Sequence, residues 1–542
     1  MTNNILQLFI EKGFLLDKDV LEFLNALDDG KVAGEILDKI AVVSQKKMIT
    51  RQLIDENIEK IKPILFELDS EKKKLVDKYF INVNISVEVK KERFIDDLKI
   101  EDIQKNSFED NKSRGSVKII SSSIGACKRI EVKDFVKHFR NRYLSLKKIL
   151  QERPELDSLM SIDKISGGRN FSIIGIVSNK TVTKNGNIIL EVEDLTGKAK
   201  LLISQNKEEV FAKSKEILLD DVIGFKCSGD SNFLFVNDFF YPDCFLKEKK
   251  RLSQEVYALF ISDIHVGSNK FLANNFSKFI DWLNGVGCDA KQKEMLKKIR
   301  YLFVVGDTID GVGVYPGQEK ELAIKDIKKQ YELLAAYYKK IPSYISIIQC
   351  AGQHDAVRVA EPQPPVGEDF GACLHEIDNL YLVSNPSFVE IGGGESEGFK
   401  ILLYHGASMH GVISEIEELR LGKAHAHPAQ VIKHLLLRRH LGPTHGITTY
   451  IPNSVADPLV IEHVPDIITT GDLHRTDIDV YNNVLIIANS CWQSITAFEE
   501  KVGNEPDPCK VPVLNLKTRA LKILDFSDEQ EDEPEDKILY GS

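Results

Sequence analysis

The chain has 542 residues, 43% apolar and 28% charged. This is ordinary globular composition, long enough for about two to four domains, and it excludes a mainly disordered or fibrous polypeptide. The 82 acidic and 71 basic residues give a formal charge of −11, which on an evenly charged surface argues against a phosphate-rich partner.

No run of about 18 apolar residues occurs, so no membrane span or membrane partner is expected. The start, MTNNILQLFIEKGF, lacks the basic residues and long apolar stretch of a signal peptide. The eight cysteines are scattered without a C-x-x-C pair, which points away from disulfides and four-cysteine zinc sites and toward a reducing cytoplasm.

Residues 1–65 read as a small helical interaction module, with Val20, Leu21, Phe23, Leu24 and Leu27, then Ile54, Ile58, Ile61 and Leu65, at helical spacing. Residues 66–127 are charged and Ser/Asn-containing and read as a flexible linker, with INVNISVEV as a short strand within it. Residues 128–250 begin with an amphipathic helix on which Phe135, Phe139, Tyr143, Leu146 and Leu150 share a face. Its eight basic residues from Lys128 to Lys148, against Glu131 and Asp134, read as a solvated face, with phosphate contact the weaker alternative.

From 165 to 242 the period changes. Strand, Asn185-Gly186 turn, strand, Thr196-Gly197 turn and strand are followed by a helical piece and two further strands. That is the element order of an OB-fold barrel, which here serves packing at least as readily as single-strand binding, because its strands are mainly aliphatic.

From 251 to 526 short apolar strands alternate with longer segments, the α/β pattern. Five of these strands end in polar, metal-type residues: Asp263-Ile264-His265, Gly306-Asp307-Thr308-Ile309-Asp310, Gly352-Gln353-His354-Asp355, His405-Gly406 and Gly471-Asp472-Leu473-His474. Strand ends of an open sheet converge on one crevice, so five such blocks predict a shared site. Twelve of the 13 histidines lie between 265 and 474, which puts the chemistry in this half. Mixed oxygen and nitrogen donors without thiolate suit Mn, Mg, Fe or Zn. A pair of such ions can clamp both the attacking hydroxide and the phosphoryl oxygens. VPVLNL, near the end, reads as a closing strand.

The ordered blocks resemble the calcineurin-like metallophosphoesterase series D-x-H, G-D-x-x-D, G-N-H-D, H and G-H-x-H. GQHDAVRVAEPQP, YLVSNPSFVEI, the tail KVGNEPDPCKVPVLNLKT and the barrel text SIIGIVSNKTVTKNGNIILEVEDLTG together resemble the small subunits of archaeal family-D replicative DNA polymerases. The resemblance implies a multidomain α/β chain: a helical module, an OB-fold barrel and a calcineurin-like sandwich. It implies a 3′→5′ exonuclease that proofreads beside a large catalytic subunit and acts on single-stranded or mismatched 3′ DNA ends. A sliding clamp reached through the complex is a candidate further partner, for which the sequence carries no clamp-binding motif at its C-terminal end.

By the same resemblance Asp263, His265 and His474 hold a first ion, Asp307 bridges, and His405, Gln353 and Asp472 serve a second. His354 protonates the leaving 3′-oxygen or stabilises phosphoryl charge, and Asp355 orients it. Gln353 and Asp472 depart from the family pattern, standing where Asn and His are expected. A carboxylate in place of an imidazole favours the harder ions Mn or Mg, with Fe or Zn as alternatives. The competing readings are a scaffold subunit without hydrolysis and a free-standing phosphoesterase.

Between Leu419 and Ala456 no acidic residue occurs, and Arg420, Lys433, Arg438 and Arg439 read equally as a basic DNA-guiding wall or as a solvated helix around a Leu stripe. Residues 527–542 read as an acidic disordered tail. Eight carboxylates between Asp525 and Asp536 account for most of the net charge, which is about −3 without them.

Overall fold

The computed structural model describes residues 15–16, 48–49, 114–122, 129–230, 233–393, 397–496, 499–500 and 505–527. The chain divides into two compact units, 1–100 and 101–542. In the first, β1 (Leu15–Leu16) pairs in parallel with β2 (Met48–Ile49). The remainder of the helical module, the INVNISVEV strand and the acidic tail after Ser527 lie outside the described residues.

The second unit contains a barrel and two stacked sheets. Helix α1 (Val132–Gln151) precedes the barrel strands β4 (Gly168–Val182), β5 (Ile188–Glu193) and β6 (Lys198–Ile203). Helix α2 (Glu208–Ser214), β7 (Val222–Gly229) and β8 (Leu234–Phe240) follow. The strands close in the order β4-β5-β6-β8-β7, a five-stranded barrel with the element order read from the sequence. Alternate residues of β5 and β6, including Leu190, Val192, Leu201 and Ile203, fill its interior, as a period of two requires.

One six-stranded sheet runs β12 (Leu380–Val383), β11 (Ser346–Cys350), β10 (Ile299–Val305), β9 (Tyr257–Ile261), β18 (Lys510–Asn515) and β19 (Leu521–Asp525). The other runs β16 (Asp477–Tyr481), β17 (Val484–Ala488), β15 (Ile467–Thr470), β14 (Phe399–Leu403), β13 (Ser387–Ile391) and β3 (Val117–Ser122). Tyr301, Phe303 and Val305 of β10 meet Ile401 and Leu403 of β14 between the sheets. The alternate residues Leu302 and Val304 face outward, onto helices α3 (Ala273–Leu283) and α4 (Ile327–Tyr338). Helices α5 (Met409–Glu415) and α6 (Pro428–Arg438) cover the outer face of the second sheet. The result is a helix–sheet–sheet–helix sandwich, and each of its strands that ends in a metal-type block in the sequence is present.

Two expectations need correction. Part of the stretch read as flexible linker is the edge strand β3, antiparallel to β13. Its VKII run has the β-branched content a strand favours, and Ile120 packs on the apolar cluster beneath the sheet. The basic face of α1 is not uniformly solvated. Arg142 is 1% exposed, and its Nε donates to Asp457 Oδ2 at 2.7 Å while Nη1 donates to the Pro443 carbonyl at 2.7 Å.

Asp457 also accepts from His440 Nε2 at 2.8 Å and lies 3.2 Å from His138 Nε2, so four buried ionisable groups tie α1 to the sandwich. Burial would raise the Asp457 carboxyl, but Arg142 and His440 overcome it and hold it well below the usual range. Burial and the neighbouring Arg142 push the His440 imidazole down to about 4. His440 Nδ1 accepts from the Gly442 amide at 3.0 Å, a contact only the neutral ring can make.

Removing one partner leaves a buried charge uncompensated, so Arg142→Ala should cost about 3–5 kcal/mol in denaturant unfolding. For His440 the unfolded chain takes up its proton near pH 6.5 and the folded chain near 4. Its contribution is therefore complete above pH 6.5 and lost as pH falls toward 4. Thermal melts over that window should fall more steeply for the wild type than for His440→Gln.

Candidate metal centre

The parallel strands β9, β10 and β11 of one sheet and β14 and β15 of the other bring their carboxyl ends to one edge of the sandwich. Asp263 and His265 follow β9, Asp307 follows β10, Gln353 and His354 follow β11, His405 follows β14, and Asp472 and His474 follow β15. These eight predicted residues converge. Asp263, His265, Asp307, Asp472 and His474 all adopt positive φ, between 46° and 68°. Non-glycine residues adopt that region uncommonly, Asp and His more readily than most, and here it recurs at the turns that follow three of the strands. The loops need glycine at two close approaches. A Cβ on Gly306 would lie 2.2 Å from His405 Nδ1, and one on Gly352 would lie 2.2 Å from Asp307 Oδ1.

The imidazoles are anchored in a common way. His265 Nδ1 donates to Asp310 Oδ1 at 3.1 Å, His474 Nδ1 to Glu499 Oε1 at 2.7 Å, and His405 Nδ1 to the Val305 carbonyl at 2.8 Å. Carboxylates and carbonyls only accept, so Nδ1 carries a ring proton and each Nε2 points toward the centre, where it offers a lone pair whenever the ring is neutral. There His265 Nε2 and His474 Nε2 face each other at 3.2 Å, and Asp263 Oδ1 lies 3.4 Å from His474 Nε2. His405 Nε2 lies 3.1 Å from Asp307 Oδ2 and 3.9 Å from Asp263 Oδ1 and from Asp472 Oδ1.

These groups fit divalent cations. Asp263, His265 and His474 form one set, and Asp263, Asp307 and His405 another, each with ligand atoms within 4.8 Å of one another. His405 Nε2, Gln353 Oε1 and Asp472 Oδ2 are buried without a hydrogen-bond partner. Nitrogens and oxygens that face one another at these distances need positive charge between them, from a cation or from protons on the imidazoles. Burial would raise the Asp263 and Asp307 carboxyls, but neighbouring imidazoles, above all His474 and His405, hold both below the ordinary range. Burial disfavours charge on His405, yet Asp307, Asp263 and Asp472 keep its imidazole well above its usual value. The pocket thus favours cations throughout.

His354 stands at the edge of this centre with its side chain 20% exposed. The sequence reading has Asp355 orienting it; the structure gives that contact to the Asp310 carbonyl, which accepts from His354 Nδ1 at 2.8 Å. Asp355 instead accepts from the Gly352 amide at 2.9 Å, the Thr308 hydroxyl and Tyr331 Oη, so it braces the loop beneath. The turn after β11 carries its carboxylate back under the loop, away from the His354 ring.

The basic wall is also corrected. Arg438 is 2% exposed, 3.1 Å from Asp221 of the barrel segment, and stacks over Tyr241. Arg439 is buried and donates to the Ile461 carbonyl at 2.8 Å. Lys433 pairs with Asp479. Arg420 is exposed and donates to the Ser414 carbonyl. Most of these partners come from distant segments, which a local charge count does not register.

Two supporting carboxylates, Asp310 and Glu499, had no role in the sequence reading. Asp310 was visible three residues after Asp307. Glu499 lies 25 residues beyond its partner His474 and carries no spacing signal.

A double-sheet sandwich whose strand ends gather a carboxylate–imidazole cluster that could hold a metal ion defines the class of α/β protein. Residues 258–478 match the family of DNA polymerase alpha/epsilon B subunits, a span that contains all eight converging residues. The chain is 33% identical over 528 residues to the DNA polymerase II small subunit of Methanothermobacter thermautotrophicus, covering 97% of this chain and 100% of that protein. It is 37% identical to that of Methanocaldococcus jannaschii, over 71% of this chain and 64% of the relative. It is 36% identical to that of Pyrococcus furiosus, over 73% and 64%. The chain belongs to the DNA polymerase II small-subunit family.

Because Asp310 and Glu499 fix the metal-facing tautomers of His265 and His474, Asp310→Asn and Glu499→Gln should each weaken Mn(II) binding about 10–100-fold. Isothermal titration calorimetry of the purified chain measures this directly.

Proposed function

We propose that the chain is the small subunit of a heterodimeric replicative DNA polymerase and carries a two-metal 3′→5′ exonuclease acting on single-stranded or mismatched 3′ DNA ends. The observation that carries this reading is the pair of donor sets, Asp263 with His265 and His474 and Asp263 with Asp307 and His405, a composition suited to two adjacent cations. The resemblance to family-D small subunits supplies the partner, a large subunit holding the polymerising site. We read the barrel as an OB-fold and the sandwich as a calcineurin-like phosphoesterase, with domain limits at 128–250 and 251–526.

Divalent cations, Mn or Mg by the donor chemistry, would supply Lewis acidity and neutralise phosphoryl charge. The remaining work belongs to the chain. Asp263, His265 and His474 would hold the first ion and His405, Gln353 and Asp472 the second, with Asp307 as the carboxylate between them. His354 is fixed through Nδ1, so Nε2 is the atom at which a proton is held for the leaving 3′-oxygen. The loop of Gly352 brings the His354 amide to Asp307 Oδ1 at 2.8 Å, which couples the position of the acid to the bridging carboxylate.

A second reading, a scaffold subunit without hydrolysis, is favoured by one contact. Gln353 Nε2 donates to Asp472 Oδ1 at 2.8 Å, so two donors of the second set partly satisfy each other.

A 3′-labelled single strand incubated with Mn(II) or Mg(II) separates the two. The full chain, alone and with its large subunit, should shorten the strand from the 3′ end. His354→Ala should lower the rate about 10²–10⁴-fold, and Asp307→Ala should abolish it. A wild-type rate equal to that of His354→Ala, in both forms, leaves the scaffold reading standing.

A further inference from the structure

Every histidine of the centre follows one rule: Nδ1 is engaged behind, which leaves Nε2 for the open side. One histidine outside the predicted set repeats it. His410 lies in the first turn of α5, five residues after His405, with its side chain 44% exposed. Its Nδ1 lies 3.2 Å from His425 Nε2, and its Nε2 faces Asp472 Oδ2 at 3.5 Å. The two rings lean together with centroids 5.2 Å apart.

The opposing oxygen is the informative one. Asp472 Oδ1 already accepts from Gln353 Nε2, but Oδ2 is buried, has no hydrogen-bond partner, and belongs to a side chain only 10% exposed. An imidazole nitrogen and a carboxylate oxygen 3.5 Å apart without a hydrogen bond are too far apart for a good direct contact. They are near enough for one cation to touch both, since such ions bind nitrogen and oxygen at about 2.0–2.2 Å. In the tautomer in which His410 Nδ1 donates to His425 Nε2, the lone pair on His410 Nε2 is free to bind.

We propose that His410 is a ligand of the second cation, with His425 as the positioning residue behind it. Asp472 stands where the resemblance leads one to expect an imidazole, and His410 restores that donor from a different element, facing the same carboxylate. The second cation is then held by His405, Gln353, Asp472 and His410, two imidazoles and two oxygen donors. This deepens the metal-binding part of the proposed function and rests on it.

The test is Mn(II) binding to the full-length chain, followed by the loss of the free-ion signal in electron paramagnetic resonance, with no nucleic acid present. The wild type should bind two ions. His410→Ala should keep one at wild-type affinity and bind the second at least ~10-fold more weakly, and His425→Ala should weaken that same ion to a lesser degree. His410→Gln, which retains an oxygen donor and helix propensity, should recover part of the loss. Unchanged thermal melting of the metal-free variants excludes misfolding as the cause.

If His410→Ala binds both ions as the wild type does, the assignment of His410 is overturned while the two-metal reading stands. If the wild type binds no Mn(II), both fall together. Two ions in the wild type with selective loss of one in His410→Ala establishes the ligand.

Discussion

The architecture depends on one electrostatic constraint: Asp263, Asp307 and Asp472 are drawn together in a nearly water-free pocket. Desolvating a carboxylate costs several kcal/mol even after relaxation, and like charges at this range add to that. The chain offsets this with imidazoles, each held through Nδ1 so that Nε2 turns inward, and leaves donors open for cations. The rest of the sandwich serves that arrangement. Parallel strands from both sheets must end at one edge, the loops must accept positive φ at five side-chain-bearing positions, and glycines must admit His405 and Asp307 at contact distance.

The strand ends were legible because the chemistry of a strand followed by a ligand is written in adjacent residues. YLFVVGD contains both the apolar run of β10 and the carboxylate after it, and the barrel strands announce themselves through Asn185-Gly186 and Thr196-Gly197. Legibility failed where partners are remote in the chain. Glu499 supports His474 across a gap with no fixed spacing. The roles given to Arg438 and Arg439 came from a charge count blind to Asp221 and to main-chain carbonyls. Asp355 was paired with its sequence neighbour His354, although the turn sends its carboxylate to Thr308 and Gly352 instead. β3 was overlooked because lysines and serines around its VKII run outweighed the β-branched core.

The opening charge balance also takes on a different meaning. An excess of acid was a poor guide to the surface, because several carboxylates are inward-facing and several arginines are consumed in the interior. Arg142 and Arg438 carry full charges into places where no ligand reaches them. Their role is architectural, and each is matched to an aspartate on a segment far away in the chain.

Those two arginines cross the same boundary in opposite directions. Arg142 leaves the helix before the barrel for Asp457 of the sandwich, while Arg438 leaves the sandwich for Asp221 of the barrel segment. Cutting the chain near residue 250 separates Arg142 from Asp457 and Arg438 from Asp221. Barrel and sandwich are thus two patterns in the sequence, joined by two buried charge pairs that run in opposite directions.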